Sequence, residues 1–407
     1  MRPAVSAAPA RFNVRMLAIR AERLFDGVDA APVTRPVVLV EEGRVTEVLS
    51  EAEPPNGARV VDLGDATLLP GLVDPHVHLV FDASTDPVGH LAAMDDDAAL
   101  AVMRANARLA LSAGITTVRD LGDRDYLALR LRAELAADPT AGPRVLAAGP
   151  PLTTGRGHCW FLGGEVVGGV EAVRAAVRER AERGVDVIKL MATGGELTPG
   201  SSSHVPQFTV EELRAAVEEA HRHGLPTAAH AHGAAGIANA VAAGVDNIEH
   251  GTFLTADGAE ADPVIIRAIV DAGIPVGISV PQKPSPGALP SPGIVKRLPF
   301  IIAVFRELRA AGIPLVCGSD AGIGPVKPFD ALPYGPAMMA SMLGMAPVEV
   351  LRSVTSLAAE VCRVGDRKGR VAAGFDADLL AVAGDPLQDP AALTAVRAVF
   401  RAGVRVR

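Results

Sequence analysis

His76 and His78 stand two residues apart in "PGLVDPHVHLV". On a strand, residues two apart point to the same side, so both imidazoles can reach one ion. A lone His-x-His pair is a weak signal. It gains weight here because other short apolar runs also end in nitrogen or oxygen ligands: "PTAAHAH" in His230 and His232, "VDNIEH" in His250, and "PLVCGSD" in Asp320. Histidine and carboxylate donors suit Zn²⁺, Mn²⁺, Fe²⁺ or Co²⁺. Lys189 interrupts "GVDVIKLMATGG", a run with no polar face that reads as a strand buried on both sides. Lysine is rarely fully buried unless it is paired. Two further strand ends bring Arg119, Asp120 and, one loop later, His158. His90, His221 and His223 fall on helical or loop surface positions and receive no role. His204 sits in "TPGSSSHVPQ", a Ser/Gly/Pro-rich loop that suits a lid.

Something must bring these residues to one place. From residue 95 onward an Ala-rich amphipathic segment repeatedly ends in Gly, and a short apolar run follows: "LALSAGITTVRD" (109–120), "AHRHGLPTAAH" (220–230), "AVAAGVDNIEH" (240–250), "IVDAGIPVGIS" (269–279) and "LRAAGIPLVCGSD" (308–320). Gly after a helix relieves the left-handed conformation there, and runs of this length suit buried parallel strands. With "ATLLPGLVDPHVH" (66–78), "PRVLAAGP" (143–150) and Arg178 to Leu190 the pattern gives eight strand–helix units. That predicts a (β/α)₈ TIM barrel over residues 70–360, whose catalytic residues belong at the C-terminal ends of the strands. A doubly wound sheet would want a Gly-rich phosphate turn after its first strand, where this chain has His-Val-His. The two ends, 1–69 and 361–407, are rich in Val, Leu and turn residues without a long helical period. They read as one small β-sandwich built from both termini.

The 407-residue chain is 49% hydrophobic and 21% charged, with a formal net charge of −8. No basic block stands out, so a nucleic-acid partner is not expected. The longest uncharged run, Leu225 to Val245, carries histidines, glycines and a proline, unlike a membrane helix. The first twenty residues show no signal-peptide core. The three cysteines lack metal-type spacing and read as small buried hydrophobes in a reducing cytosol, so a cytoplasmic protein is expected.

The combined motifs resemble the amidohydrolase superfamily over nearly the whole chain. "PGLVDPHVHLV" resembles its strand 1 motif and "GFDADLLAVAGDP" its C-terminal sandwich segment. "TTVRDLGD", "DVIKLMATGG", "AAHAHG", "NIEHG" and "CGSDAG" are closest to the branch of Xaa-Pro dipeptidases, Xaa-Arg carboxypeptidases, ochratoxin-type amidases and imidazolonepropionase relatives. The resemblance implies two divalent metals, first of all Zn²⁺, and a Lys189 carboxylated by CO₂ that bridges them. It implies His76, His78 and Asp320 on one metal and His230 and His250 on the other. His232 falls where relatives often carry a Tyr that contacts the substrate carbonyl; a supporting role behind a ligand is its alternative. His158 resembles a substrate-binding Gly-His. Arg119 can clamp a substrate carboxylate or pair with Asp120 or Asp123. The implied reaction is hydrolysis of a small-molecule amide, a dipeptide such as Xaa-Pro or an N-acyl amino acid. A metal-bridging hydroxide attacks and Asp320 carries the proton. Urea, carbamate or other xenobiotic amide hydrolysis, and cyclic amide hydrolysis or deamination, are the alternatives. A non-enzymatic scaffold is disfavoured because all six ligand positions are kept. A homo-oligomer is expected.

Overall fold

The computed structural model describes residues 16–284 and 292–407, and most of the N-terminal stretch read for a signal segment lies outside the described residues. Among the described residues, eight parallel strands carry the centre of the molecule. They are β1 (Leu72–Val77), β2 (Ile115–Asp120), β3 (Arg144–Ala147), β4 (Ile188–Met191), β5 (Thr227–Ala231), β6 (Asn247–His250), β7 (Val276–Ile278) and β8 (Leu315–Cys317). They form two arcs, β3-β2-β1 and β4-β5-β6-β7-β8. Single parallel bridges join the arcs at both seams, Leu152 with Leu190 and Val77 with Ala321. At the second seam Asp320 N donates to His76 O at 2.8 Å and His78 N to Ala321 O at 3.0 Å.

The intervening helices form for local reasons. Asp95 caps the helix Asp96–Ser112 by accepting from Ala98 N, and Thr209 and Glu212 form a reciprocal capping box on Val210–Arg222. Gly184 and Gly244 end their helices at φ of 80° and 81°, where a side chain would be strained. The helices cover the strands with an apolar face: Met103, Val177, Leu213, Ile237, Ile269 and Leu308 join Leu72, Ile115, Ile188, Ile248 and Val276 in one buried cluster. Each such side chain contributes roughly 1.5–3 kcal/mol by leaving water.

The sequence run 66–78 is two strands rather than one. Ala66–Pro70 pairs antiparallel with Leu379–Ala383, and β1 begins only after Gly71. Gly71 donates to Asp378 O at 2.8 Å, and a Cβ on it would lie 2.3 Å from the Thr116 side chain, so the chain can change sheets only where no side chain intervenes. The termini supply two sheets: four strands between Met16 and Asp62, and six that interleave Arg23–Leu24, Val33–Thr34 and Ala66–Pro70 with strands from 379–405. Leu17, Ile19, Val38 and Val45 from the first sheet share a buried cluster with Leu68, Leu379, Ala381 and Phe400 from the second. No helix among the described residues is long and apolar enough to cross a membrane.

Candidate metal centre

The C-terminal ends of β1, β4, β5, β6 and β8 converge on one mouth. His76, His78 and Asp320 hold ligand atoms within 4.8 Å of one another, and so do His230, His232 and His250. In the first group both Nε2 atoms face Asp320 Oδ1, His76 at 3.5 Å and His78 at 3.6 Å. Their Nδ1 atoms are anchored behind, His76 on Glu249 Oε2 at 2.9 Å and His78 on the Gly122 carbonyl at 3.1 Å. A carboxylate or carbonyl only accepts, so both Nδ1 atoms carry the proton and both Nε2 lone pairs face inward, as a cation requires. In the second group His230 Nε2 donates to Gly194 O at 3.0 Å, which leaves Nδ1 as its lone pair. His232 Nδ1 meets Thr252 Oγ1 at 2.8 Å and His250 Nδ1 meets Ser279 Oγ at 3.4 Å.

The electrostatics suit cation binding. Burial, reinforced by neighbouring positive charge, pushes His78 and His232 down to about 4 and His158 to about 3, and holds His230 and His250 well below the usual imidazole range. At neutral pH these rings are therefore uncharged, the form in which an imidazole can ligate a cation. Burial opposes the charge on Asp320, but His76, Lys327, His78 and Lys189 outweigh it and keep the carboxyl below its ordinary value. The backbone is strained at this same place: His250 and Asp320 adopt φ of 73° and 55°, a conformation that costs non-glycine residues about 1–3 kcal/mol and gathers at functional sites.

Lys189 lies on β4, 1% exposed, and its Nζ has no hydrogen-bond partner among the described residues. Burial pulls its ammonium down to about 8. Its charge is among the causes that depress His78 and Asp320 in one group and His230, His232 and His250 in the other, so it stands near both. The amine is thus orphaned and readily neutralised beside both donor sets, unlike a structural cation held by partners.

His158 reaches the mouth from the loop after β3, its ring 4.6 Å from that of His230, and its Nδ1 is likewise buried without a partner among the described residues. Gly195 makes room for it, since a Cβ there would lie 2.4 Å from His158 Nε2. His232 stacks on His250 at 4.4 Å. His204 is exposed, with its ring on Ser202. Arg119 differs from the expectation. It is 1% exposed, and its guanidinium donates to Pro75 O (2.8 Å), Asn247 Oδ1 (3.2 Å) and Glu249 Oε1 (2.8 Å), so it is engaged within the protein and pairs with neither Asp120 nor Asp123. Those aspartates cap backbone amides instead, Asp120 on Leu79 and Gly122, Asp123 on Ala128. Sequence reasoning missed Glu249. A charged residue in a strand with no exposed face must find an opposite charge, and Arg119 in an equally apolar strand was the signal. It also missed Arg297, on the helix Pro292–Ala310, which pairs with Glu196 of the loop after β4 and adds to the charges that lower His232.

Residues 67–406 match the amidohydrolase family. A solved Xaa-Pro dipeptidase with methionine bound in its active site superposes with a TM-score of 0.84 at 29% identity, over 96% of this chain and 99% of that one. Ochratoxinase from Aspergillus niger is 28% identical over 399 residues, 89% of this chain and 80% of its own. Imidazolonepropionase from Cereibacter sphaeroides is 26% identical over 404 residues, 89% and 91% of the two chains. The family and this likeness together assign the eight strands to a TIM-barrel fold. The chain belongs to the amidohydrolase family and is a hydrolase acting on carbon–nitrogen bonds.

Proposed function

We propose that the protein cleaves the amide bond of a dipeptide, Xaa-Pro among them, or of an N-acyl amino acid. His76, His78 and Asp320 would hold one divalent cation, His230 and His250 a second. Zn²⁺ suits these donors first, with Mn²⁺, Fe²⁺ and Co²⁺ as alternatives. A carbamate formed from Lys189 and CO₂ would span the two. The observation that carries this reading is the Lys189 amine, buried, unpartnered among the described residues and drawn down to about 8, since only a neutral amine adds to CO₂. When bound, the cations supply Lewis acidity and activate water.

The chain's own groups do the rest. Asp320 stays ionised in the mouth and so can accept a proton at a carboxylate oxygen and return it to the departing amine. His158 and His232, both neutral, are placed to donate hydrogen bonds to a carbonyl oxygen as charge develops on it. Arg297 offers a positive charge to a substrate carboxylate at the rim. The seam hydrogen bonds support reading the two arcs as one closed barrel, and the shared apolar cluster supports reading the terminal sheets as a sandwich. Three buried, unpaired cysteines support a reducing, cytoplasmic setting. Elemental analysis and a screen of dipeptides and N-acyl amino acids test the function: about two divalent ions per chain and turnover of at least one such class are expected. A fully metallated enzyme that turns over neither class would refute it.

A further inference from the structure

The two donor groups are built on different supports. Behind His76 lies a carboxylate, Glu249 Oε2, at 2.9 Å, and Glu249 is itself gripped by Arg119 Nη2 at 2.8 Å and Asn247 Nδ2 at 2.6 Å. Behind His250 lies the hydroxyl of Ser279 and behind His230 the neutral carbonyl of Gly194, so neither ring is backed by a charge, and His232 beside them rests on the Thr252 hydroxyl. Gly277, on β7 and paired with Glu249 in the parallel register, faces the same carboxylate: a Cβ there would sit 2.4 Å from Oε2, the oxygen that holds His76.

We infer that Glu249, held by Arg119, is the positioning residue that makes His76, His78 and Asp320 the tighter of two cation sites, and that the bare Gly277 is what lets its carboxylate reach His76. The inference rests on the two-cation reading above. The physical case has three parts. An ionised carboxylate on Nδ1 fixes the tautomer and orientation of the ring, and raises the basicity of Nε2. Arg119 is spent on Pro75 O, Asn247 and Glu249, so it cannot swing out, and it holds Glu249 from the far side. The second group has no buried anion behind its imidazoles among the described residues, so its rings gain no comparable basicity.

Two substitutions separate charge from position. Glu249→Gln keeps an acceptor for His76 but removes the charge. Gly277→Ala keeps the charge but pushes Oε2 off Nδ1. Zn²⁺ alone is titrated by calorimetry into chelator-stripped, full-length enzyme, with thermal unfolding of each metal-free protein recorded alongside. The wild type is expected to take two ions in two steps. Each variant should weaken one step by about 10- to 100-fold and leave the other unchanged. In a His250→Ala background Glu249→Gln should still weaken the remaining step, and in a His78→Ala background it should leave that step unchanged. Wild-type affinities in both single variants overturn the inference. Equal weakening of both steps together with a lower unfolding temperature overturns it too, by making Glu249 a general prop. A wild type that binds fewer than two ions refutes the two-cation reading as well, whereas two ions with indifferent variants refute only the role of Glu249.

Discussion

Two lysines are buried among the described residues, and they are opposites. Lys368, in the terminal region, is 4% exposed and lies between two carboxylates, Asp376 at 2.6 Å and Asp378, which Arg367 and Arg401 also bind. Lys189, on β4, is 1% exposed and touches no acceptor among the described residues. Sequence does not say which of the two is paired, although Lys368 sits among charges in "GDRKGR" and Lys189 stands alone in an apolar run. Geometry does. A buried charge with partners is part of the scaffold, whereas a buried charge without them is tolerated only where the site uses the group for something else. The mouth also holds left-handed backbone at His250 and Asp320 and an orphaned His158 nitrogen around its lysine.

The sharpest way to break this comparison is to remove each lysine. Lys189→Ala should lower kcat on the order of 10⁴-fold and strip metal, while the unfolding temperature of the metal-free protein holds or rises, since an unsatisfied amine has been taken out of the interior. Lys189→Arg should fail as badly, because a guanidinium has no route to a carbamate. Acetate or propionate, but not an amine of similar size, should partly rescue Lys189→Ala. Near-normal rate and metal content in Lys189→Ala would erase the distinction between the two lysines. Lys368→Met should do the reverse: a loss of roughly 3 kcal/mol in denaturant unfolding, because Asp376 and Asp378 lose the buried cation between them and keep only Arg367 and Arg401, with kcat/KM per folded molecule unchanged.

Finer tests stay within the mouth. His158→Ala and His232→Ala should each reduce kcat/KM by about 10²-fold with metal content intact, measured by elemental analysis beside kinetics. Loss of metal in His232→Ala would exchange its role with that of His230. The smallest effect is expected from Arg297→Met. A rise in KM of about tenfold should appear for substrates with a free carboxylate and vanish for the corresponding carboxamides. Equal changes for both would place Arg297 in loop support through Glu196 instead.

Much of the centre was legible because strands and ligands share one grammar. A short apolar run that stops at His or Asp announces both a buried strand and a polar group at its end, and that pattern led to His76, His78, His230, His232, His250 and Asp320, with Lys189 marked as a cation inside such a run; the preference for His230 over His232 came from the family resemblance. What stayed hidden depends on neighbours distant in the chain. Glu249 looks like one more polar residue before a histidine until Arg119, 130 positions away, is seen against it. Arg119 was legible as important but not in which direction it faces, since the side of a strand a residue occupies is set by sheet closure. The split at Gly71 was invisible because the apolar run continues across it, and only the contact with Thr116 and Asp378 shows why it turns.

The first donor group straddles the seam between the first and last strands of the ring. His76 and His78 come from β1, Asp320 from just beyond β8, and the nearby Ser319 N to Asp74 Oδ1 bond at 3.0 Å joins positions 245 apart. A cation held there would also clasp two distant parts of the chain. Closing so distant a contact is entropically slow, and it waits on the delivery of β8. Metal loading then becomes a late checkpoint on assembly. A nascent chain that has not yet delivered β8 cannot form the site.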